Sequence, residues 1–155
     1  MEHAAETESF DDAFDRLFRI AYRSAYRLLG SREDAEDVAM DALTRASLQW
    51  RKVRSDPAPW ITTVSANLAI DIWRRRKRTP THQPVPSADP LDSRRIDLAR
   101  ALERLPRRQR HAVILRYFAD LTESQTAEAL GVSTGSVKQH TSRAMVSLKR
   151  ELGEP

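Results

Sequence analysis

The chain has no cysteine among its 155 residues, which excludes a disulfide framework and any thiolate metal site. Its four histidines, His3, His82, His111 and His140, are too scattered to form a ligand set. Neither redox nor zinc chemistry is therefore expected, and no metal or cofactor is assigned. No apolar run approaches the roughly 18–20 residues needed to span a bilayer. The opening stretch MEHAAETESF is acidic and carries no hydrophobic signal region, so a cytoplasmic protein is expected. Strand alternation, an internal repeat and a glycine-rich phosphate loop are also missing. So is any nucleophile–base pair or carboxylate cluster, and no catalysis is expected. What remains is an all-α chain, long enough for one ordinary domain or two small helical ones.

The net charge of +4 arises from 26 Lys and Arg against 22 Asp and Glu, a balance that suits a polyanion without requiring one. The distribution is more informative. Residues 1–56 hold 12 acidic and 9 basic side chains, whereas residues 57–78 hold only Asp71 against Arg74, Arg75, Arg76, Lys77 and Arg78.

Phe10, Phe14, Leu17, Phe18, Ala21, Ala25 and Leu28 recur at helical spacing and stop at Gly30, an amphipathic helix with a glycine stop. Ser31 begins a second helix whose inward stripe is Val38, Ala42, Ala46 and Trp50. Glu33, Glu36, Asp37, Met40 and Asp41 share another face. Such an acidic face is commonly just solvated, and it also suits docking on a basic partner helix.

A third helix follows Pro57 and Pro59, with Ile61, Val64, Leu68 and Ile72 as its expected buried row. Its other stripe is unusual: Trp60, Thr63, Asn67, Asp71 and Arg74 lie at offsets 0, 3, 7, 11 and 14 and lead into the five cations of residues 74–78. Aromatic faces stack on unpaired bases, amides read base edges and arginines hold phosphates, so the stripe suits single-stranded or melting DNA. A core Trp60 and a solubilising basic tail satisfy the same pattern.

Residues 79–93 hold four of the eight prolines and no helical periodicity, and read as a linker between modules 1–78 and 94–155. The second module starts with Leu98, Ala101, Leu102 and Leu105 on one face. Pro106 then opens a helix carrying Val113, Ile114, Tyr117 and Phe118. From Leu121 onward Thr122 and Gln125 form a capping-box pattern, Ala127 and Leu130 face inward, Gly131 stops the helix and Ser133 caps the next. Val137, Ala144 and Leu148 then repeat at spacings of seven and four, leaving Ser136, Lys138, Gln139, Ser142 and Arg143 outside. A short helix, a tight glycine turn and a helix with a polar, basic outer face make a helix-turn-helix. An ordinary helical hairpin with solvated charges is the plainer alternative.

These pieces together resemble an extracytoplasmic-function (group IV) sigma factor of the sigma-70 family, from Phe10 to Leu152. The resemblance is carried by EDAEDVAMDALTRA (33–46), WITTVSANLAIDIWRRRKR (60–78) and the long stretch from Leu102 to Leu152. SVKQHTSRA, with Thr126 and Thr141 where the wider family has aliphatics, is similar to a SigE-like subgroup common in actinobacteria. The resemblance implies two small helical domains. The first resembles the module that binds core RNA polymerase and melts the −10 element, and the second the module that reads the −35 element. By motif position Asp34, Asp37 and Asp41 would meet the clamp helices of the polymerase largest subunit, and Met40 stands where the family usually has Gln. The polymerase flap is a second implied contact. Asn67 matches the position that captures an unstacked −10 base, with Trp60 and Asp71 nearby and Arg74, Arg75, Arg76, Lys77 and Arg78 on the backbone. Ser136, Lys138, Gln139, Ser142 and Arg143 match the −35 contacts. Core polymerase, promoter DNA and an anti-sigma factor are the implied partners. A stand-alone helix-turn-helix regulator is the competing class, and it leaves residues 60–78 without a purpose.

Overall fold

A computed structural model describes residues 7–78 and 90–153, and every regular element among them is helical. These are α1 (Phe10–Leu29), α2 (Arg32–Leu48), α3 (Trp50–Val53), α4 (Pro57–Arg78), α5 (Pro90–Arg104), α6 (Arg107–Val113) running into a π-helical turn (Ile114–Phe118), α7 (Glu123–Leu130) and α8 (Thr134–Glu151). The helix starts are set by side-chain caps. Ser9 accepts from the Asp12 N–H, Ser31 from Asp34 and Ser133 from Ser136, each satisfying an amide that the first turn leaves without a partner. Thr122 and Gln125 form the reciprocal box, with bonds of 2.9 and 3.1 Å. Gly30 and Gly131 end α1 and α7 at φ 63° and 66°, the left-handed backbone that glycine adopts without a Cβ penalty.

Helices α1, α2 and α4 pack around Ala13, Leu17, Ala21, Ala39, Ala42, Leu43, Ala46, Val53 and Ile61. The many alanines bring backbones close, and Ser24 exploits this by donating across from α1 to the Thr62 carbonyl at 3.1 Å. The expected buried row of α4 is corrected here. Ile61 is fully buried, but Val64, Leu68 and Ile72 are only half-buried, and Thr62, Ser65, Ala66, Ala69 and Ile70 occupy the inner face. Thr62 and Ser65 can sit there because their hydroxyls donate to the carbonyls of Ala58 and Ile61, four residues back.

A second buried cluster runs without interruption from Ala25, Leu28, Leu29, Ala66, Ala69 and Ile70 to Ala99, Leu102, Val113, Ile114, Ala144 and Leu148. The two helical units are thus packed on each other, with α5 and the π turn against α1 and α4. Helix α5 begins at Pro90, inside the stretch 79–93 expected as linker. The helix opened by Pro106 also departs from expectation. Its last turn is π-helical, with the Ala119 N–H on the Ile114 carbonyl at 3.2 Å. The wider turn rotates Tyr117 outward, to 49% exposure, instead of into the core. Trp50 lies beyond the end of α2, on α3, where it is half-buried against Phe10. Leu130 is half-buried, and Thr126 shares the inner face of α7 with Ala127.

The hydroxyl of Thr141 is buried on α8 with no hydrogen-bond partner among the described residues. A hydroxyl in that state carries its desolvation cost uncompensated. Thr141→Val is therefore expected to raise the free energy of unfolding by about 1 kcal/mol, measured by denaturant titration. A loss of stability would mean that the hydroxyl is satisfied in solution.

Candidate nucleic-acid interface

Three surfaces hold the residues singled out in the sequence. On α2, Asp37, Met40 and Asp41 face solvent. Asp41 holds Arg45 at 2.9 Å one turn on. Met40 is 47% exposed and Leu48, on the same face two turns later, 81%. A leucine so open beside acidic side chains was missed in the sequence, although the spacing of Met40, Thr44 and Leu48 is the signal that finds it. Asp34 is half-buried and bonds Arg76 at 2.6 Å, tying the acidic face to the basic end of α4.

Along α4, Trp60 is half-buried against the first core, so its ring is committed in part to packing. Asn67 is half-buried, and its Nδ2 lies 3.4 Å from Nε2 of His111. Asp71 pairs with Arg74, and Arg74 lies 3.6 Å from Glu103 of α5. Arg76 also sits over the Trp73 ring at 5.5 Å. Trp73 in turn donates to the Leu28 carbonyl at 2.7 Å, satisfying an acceptor left open at the C-terminal end of α1. Arg75 is exposed, and the side chains of Lys77 and Arg78 lie outside the described residues.

On α8, Val137, Ala144 and Leu148 are buried, which turns Lys138, Gln139, Ser142 and Arg143 outward. Lys138 is held loosely by Glu123 at 3.8 Å. Ser136 is half-buried and takes a hydrogen bond from Ser133 at 3.1 Å, so it braces the turn from which the helix starts. A helix held by its buried face with a polar row outside can enter a major groove.

His111 and Glu103 from the second unit meet the α4 stripe at Asn67 and Arg74, side chains expected to handle DNA. Arg27 of α1 fastens the same junction, donating to the carbonyls of Tyr117 and Phe118 at 2.9 and 3.2 Å and lying over the Phe118 ring at 5.6 Å. Burial lowers the proton affinity of His111, and Arg107 and Arg110 lower it further. A neutral ring with Nε2 unprotonated can accept from the Asn67 amide, whereas an imidazolium would set one donor against another. Among the described residues no group of three metal-binding side chains occurs, and no helix is long and apolar enough to cross a membrane.

Residues 13–79 match the family model of Sigma-70 region 2, and residues 95–148 that of Sigma-70, region 4. The ECF RNA polymerase sigma factor SigM of Mycobacterium tuberculosis is 38% identical over 153 residues, covering 91% of this chain and 78% of that protein. The RNA polymerase sigma-E factor of Streptomyces coelicolor is 33% identical over 138 residues, covering 84% and 78%. The sigma factor RpoE of Bartonella quintana, solved in complex with the anti-sigma factor NepR, matches at a TM-score of 0.54 and 24% identity over 93% of this chain and 96% of that one. That last likeness is one of fold.

The histidine at the junction gives a pH dependence with a defined sign. A folded-state pKa below the ordinary 6.5 means that the unfolded chain takes up the proton first. The contribution of neutral His111 is therefore complete above pH 6.5 and is lost as pH falls below it toward the folded value. Arg107, Arg108 and Arg110 on its own helix, Asn67 on α4 and His140 on α8 are the polar groups around it. Unfolding measured on both sides of pH 6.5 should show a smaller acid-side loss in His111→Gln than in the parent. Equal losses in the two proteins would remove His111 from the junction's energetics.

Proposed function

The chain belongs to the extracytoplasmic-function sigma factors of the sigma-70 family, and from that premise we propose that it binds core RNA polymerase and opens promoters by the residue roles that follow. The α2 face with Asp34, Asp37, Met40 and Asp41 docks on the clamp helices of the largest subunit, and exposed Leu48 extends that contact with apolar area. The second unit meets the flap. Trp60, Asn67 and Asp71 take the unpaired −10 strand, and Arg74, Arg75, Arg76, Lys77 and Arg78 hold its backbone. Lys138, Gln139, Ser142 and Arg143 read the −35 duplex, with Ser136 bracing the start of the helix. Gln139 is suited to bidentate pairing with adenine, and Lys138 or Arg143 to guanine or phosphate. The chain itself catalyses nothing in this reading, since its work is binding and strand separation in the cytoplasm where the polymerase acts.

The observation that carries this reading is the division of the surface. An open acidic and apolar face on α2 is available to a partner, while Asn67 and Arg74 are engaged by His111 and Glu103. The free chain is thus closed over its strand-reading stripe, and polymerase binding separates the two units. By linkage, each ~1.4 kcal/mol of preference for the closed form weakens apparent DNA affinity about tenfold. An anti-sigma protein fits the same scheme as a partner that favours a non-productive arrangement.

A stoichiometric complex with core polymerase in gel filtration is the first test. Reversing Asp37 and Asp41 to Lys should weaken that complex at least tenfold, and unchanged affinity would leave the α2 face merely solvated. Within the assembled holoenzyme, Asn67→Ala should slow open-complex formation on duplex promoters far more than on templates already unpaired at −10. Equal defects on both templates would show that Asn67 does not assist strand opening.

A further inference from the structure

Sulfur is scarce in this chain. There is no cysteine, and the methionines are Met1, Met40 and Met145. Met145 is half-buried against the cluster shared by the two units, whereas Met40 is 47% exposed on the outer face of α2. Among the described residues Met40 is therefore the sulfur most open to an oxidant arriving from water, and no thiol is present to consume that oxidant first.

The surroundings decide what oxidation there does. Met40 and Leu48 are the large apolar side chains that α2 exposes. The hydrogen-bond donors nearby are taken. The Thr44 hydroxyl, one turn on, donates to the Met40 carbonyl at 2.8 Å, while Arg45 is held by Asp41 and Arg32 by Glu36. Asp37, one turn back, offers only acceptors when ionised. A sulfoxide oxygen at Met40 would thus be hydrogen-bonded by water, and a partner surface covering it would have to strip that water away.

We propose that Met40 is an oxidation site of this chain, at which a peroxide weakens docking through the α2 face. The thioether sulfur attacks one peroxide oxygen, and an S–O bond forms as the O–O bond breaks. With hydrogen peroxide the second oxygen leaves as water once it has gained a proton. Sulfur loses two electrons and the peroxide gains them. The product is a polar sulfoxide where an apolar side chain stood, and a thiol-dependent reductase reverses the change, two thiols becoming a disulfide as the oxygen leaves as water. Loss of the apolar contribution of one such side chain corresponds to about tenfold in affinity. That consequence rests on the polymerase reading of α2, and the oxidation site does not.

The test treats the full chain with hydrogen peroxide, removes the oxidant and adds untreated core polymerase, while peptide mass spectrometry follows the added oxygen at Met40 and Met145. Met40 is expected to be oxidised faster than Met145, and the Kd for polymerase to rise about tenfold in step with the Met40 sulfoxide. A methionine sulfoxide reductase should restore the affinity. The Met40→Leu protein, compared with itself before and after peroxide, should keep the affinity it has. In the assembled complex Met40 should be protected from the oxidant. Oxidation of Met145 as fast as Met40, unchanged or tighter binding by the Met40 sulfoxide form, or equal weakening of Met40→Leu by peroxide overturns the proposal. Failure of the untreated chain to bind polymerase is a separate failure, that of the sigma-factor reading. It removes the docking consequence, and the relative oxidation rates of the two methionines still decide the site.

Discussion

The buried cluster that passes from Ala25, Leu28 and Ile70 to Leu102, Ile114 and Leu148 is the constraint on which the other features rest. Each unit alone is small, and a helical unit of this size buries only a modest fraction of its apolar surface. Sharing one cluster stabilises both at once, since a fully buried Leu or Ile contributes about 1.5–3 kcal/mol. It also fixes which surfaces remain open. The α5 helix and the π turn cover the side of α4 that bears Asn67, and the opposite surface of α2 stays free. The contacts of Asn67 and Arg74 with the second unit are thus a consequence of core formation.

The polar contacts at the junction are of another kind. Arg74 with Glu103 and Arg27 on the Tyr117 carbonyl are exposed or half-buried, and surface pairs of this type contribute about 0–1 kcal/mol. Such bonds hold orientation and can be exchanged. A cation that pairs with an acidic side chain in the closed chain can pair with a phosphate once the units part, with little net change in its own energy. Asp34, on the acidic face of α2, stands apart from this exchange, since its bond to Arg76 joins α2 to α4 within the first unit. Its half-buried state, beside exposed Asp37 and Asp41, marks it as the member of that face most tied to the fold.

Much of the fold was legible because its signals are local. Thr122 with Gln125, Ser133, Gly30 and Gly131 act within a turn of the backbone they terminate, and they do so in the structure as read. The face of α4 was misread where chemistry overrode hydropathy. Ser65 and Thr62 bury because carbonyls four residues back satisfy their hydroxyls, while Val64, Leu68 and Ile72 stay on the flank. Tyr117 was misplaced because a π turn breaks the 3.6-residue period on which the reading depended. The candidate site divides the same way. The stripe of Trp60, Asn67 and Asp71 and the row from Lys138 to Arg143 follow from helical spacing. The engagement of Asn67 by His111 and of Arg74 by Glu103 depends on packing across the segment 79–89, whose composition carries no register.

The absence of cysteine makes the central claim directly measurable, since two introduced thiols would be the only ones present. Spin labels at Arg51→Cys on α3 and Lys149→Cys on α8, both at exposed positions, report the separation of the two units by double electron–electron resonance. A single narrow distance distribution is expected for the free chain, replaced by a longer one when stoichiometric core polymerase is added. A distribution that is broad in the free chain, or identical with and without polymerase, would contradict a closed state that the polymerase opens.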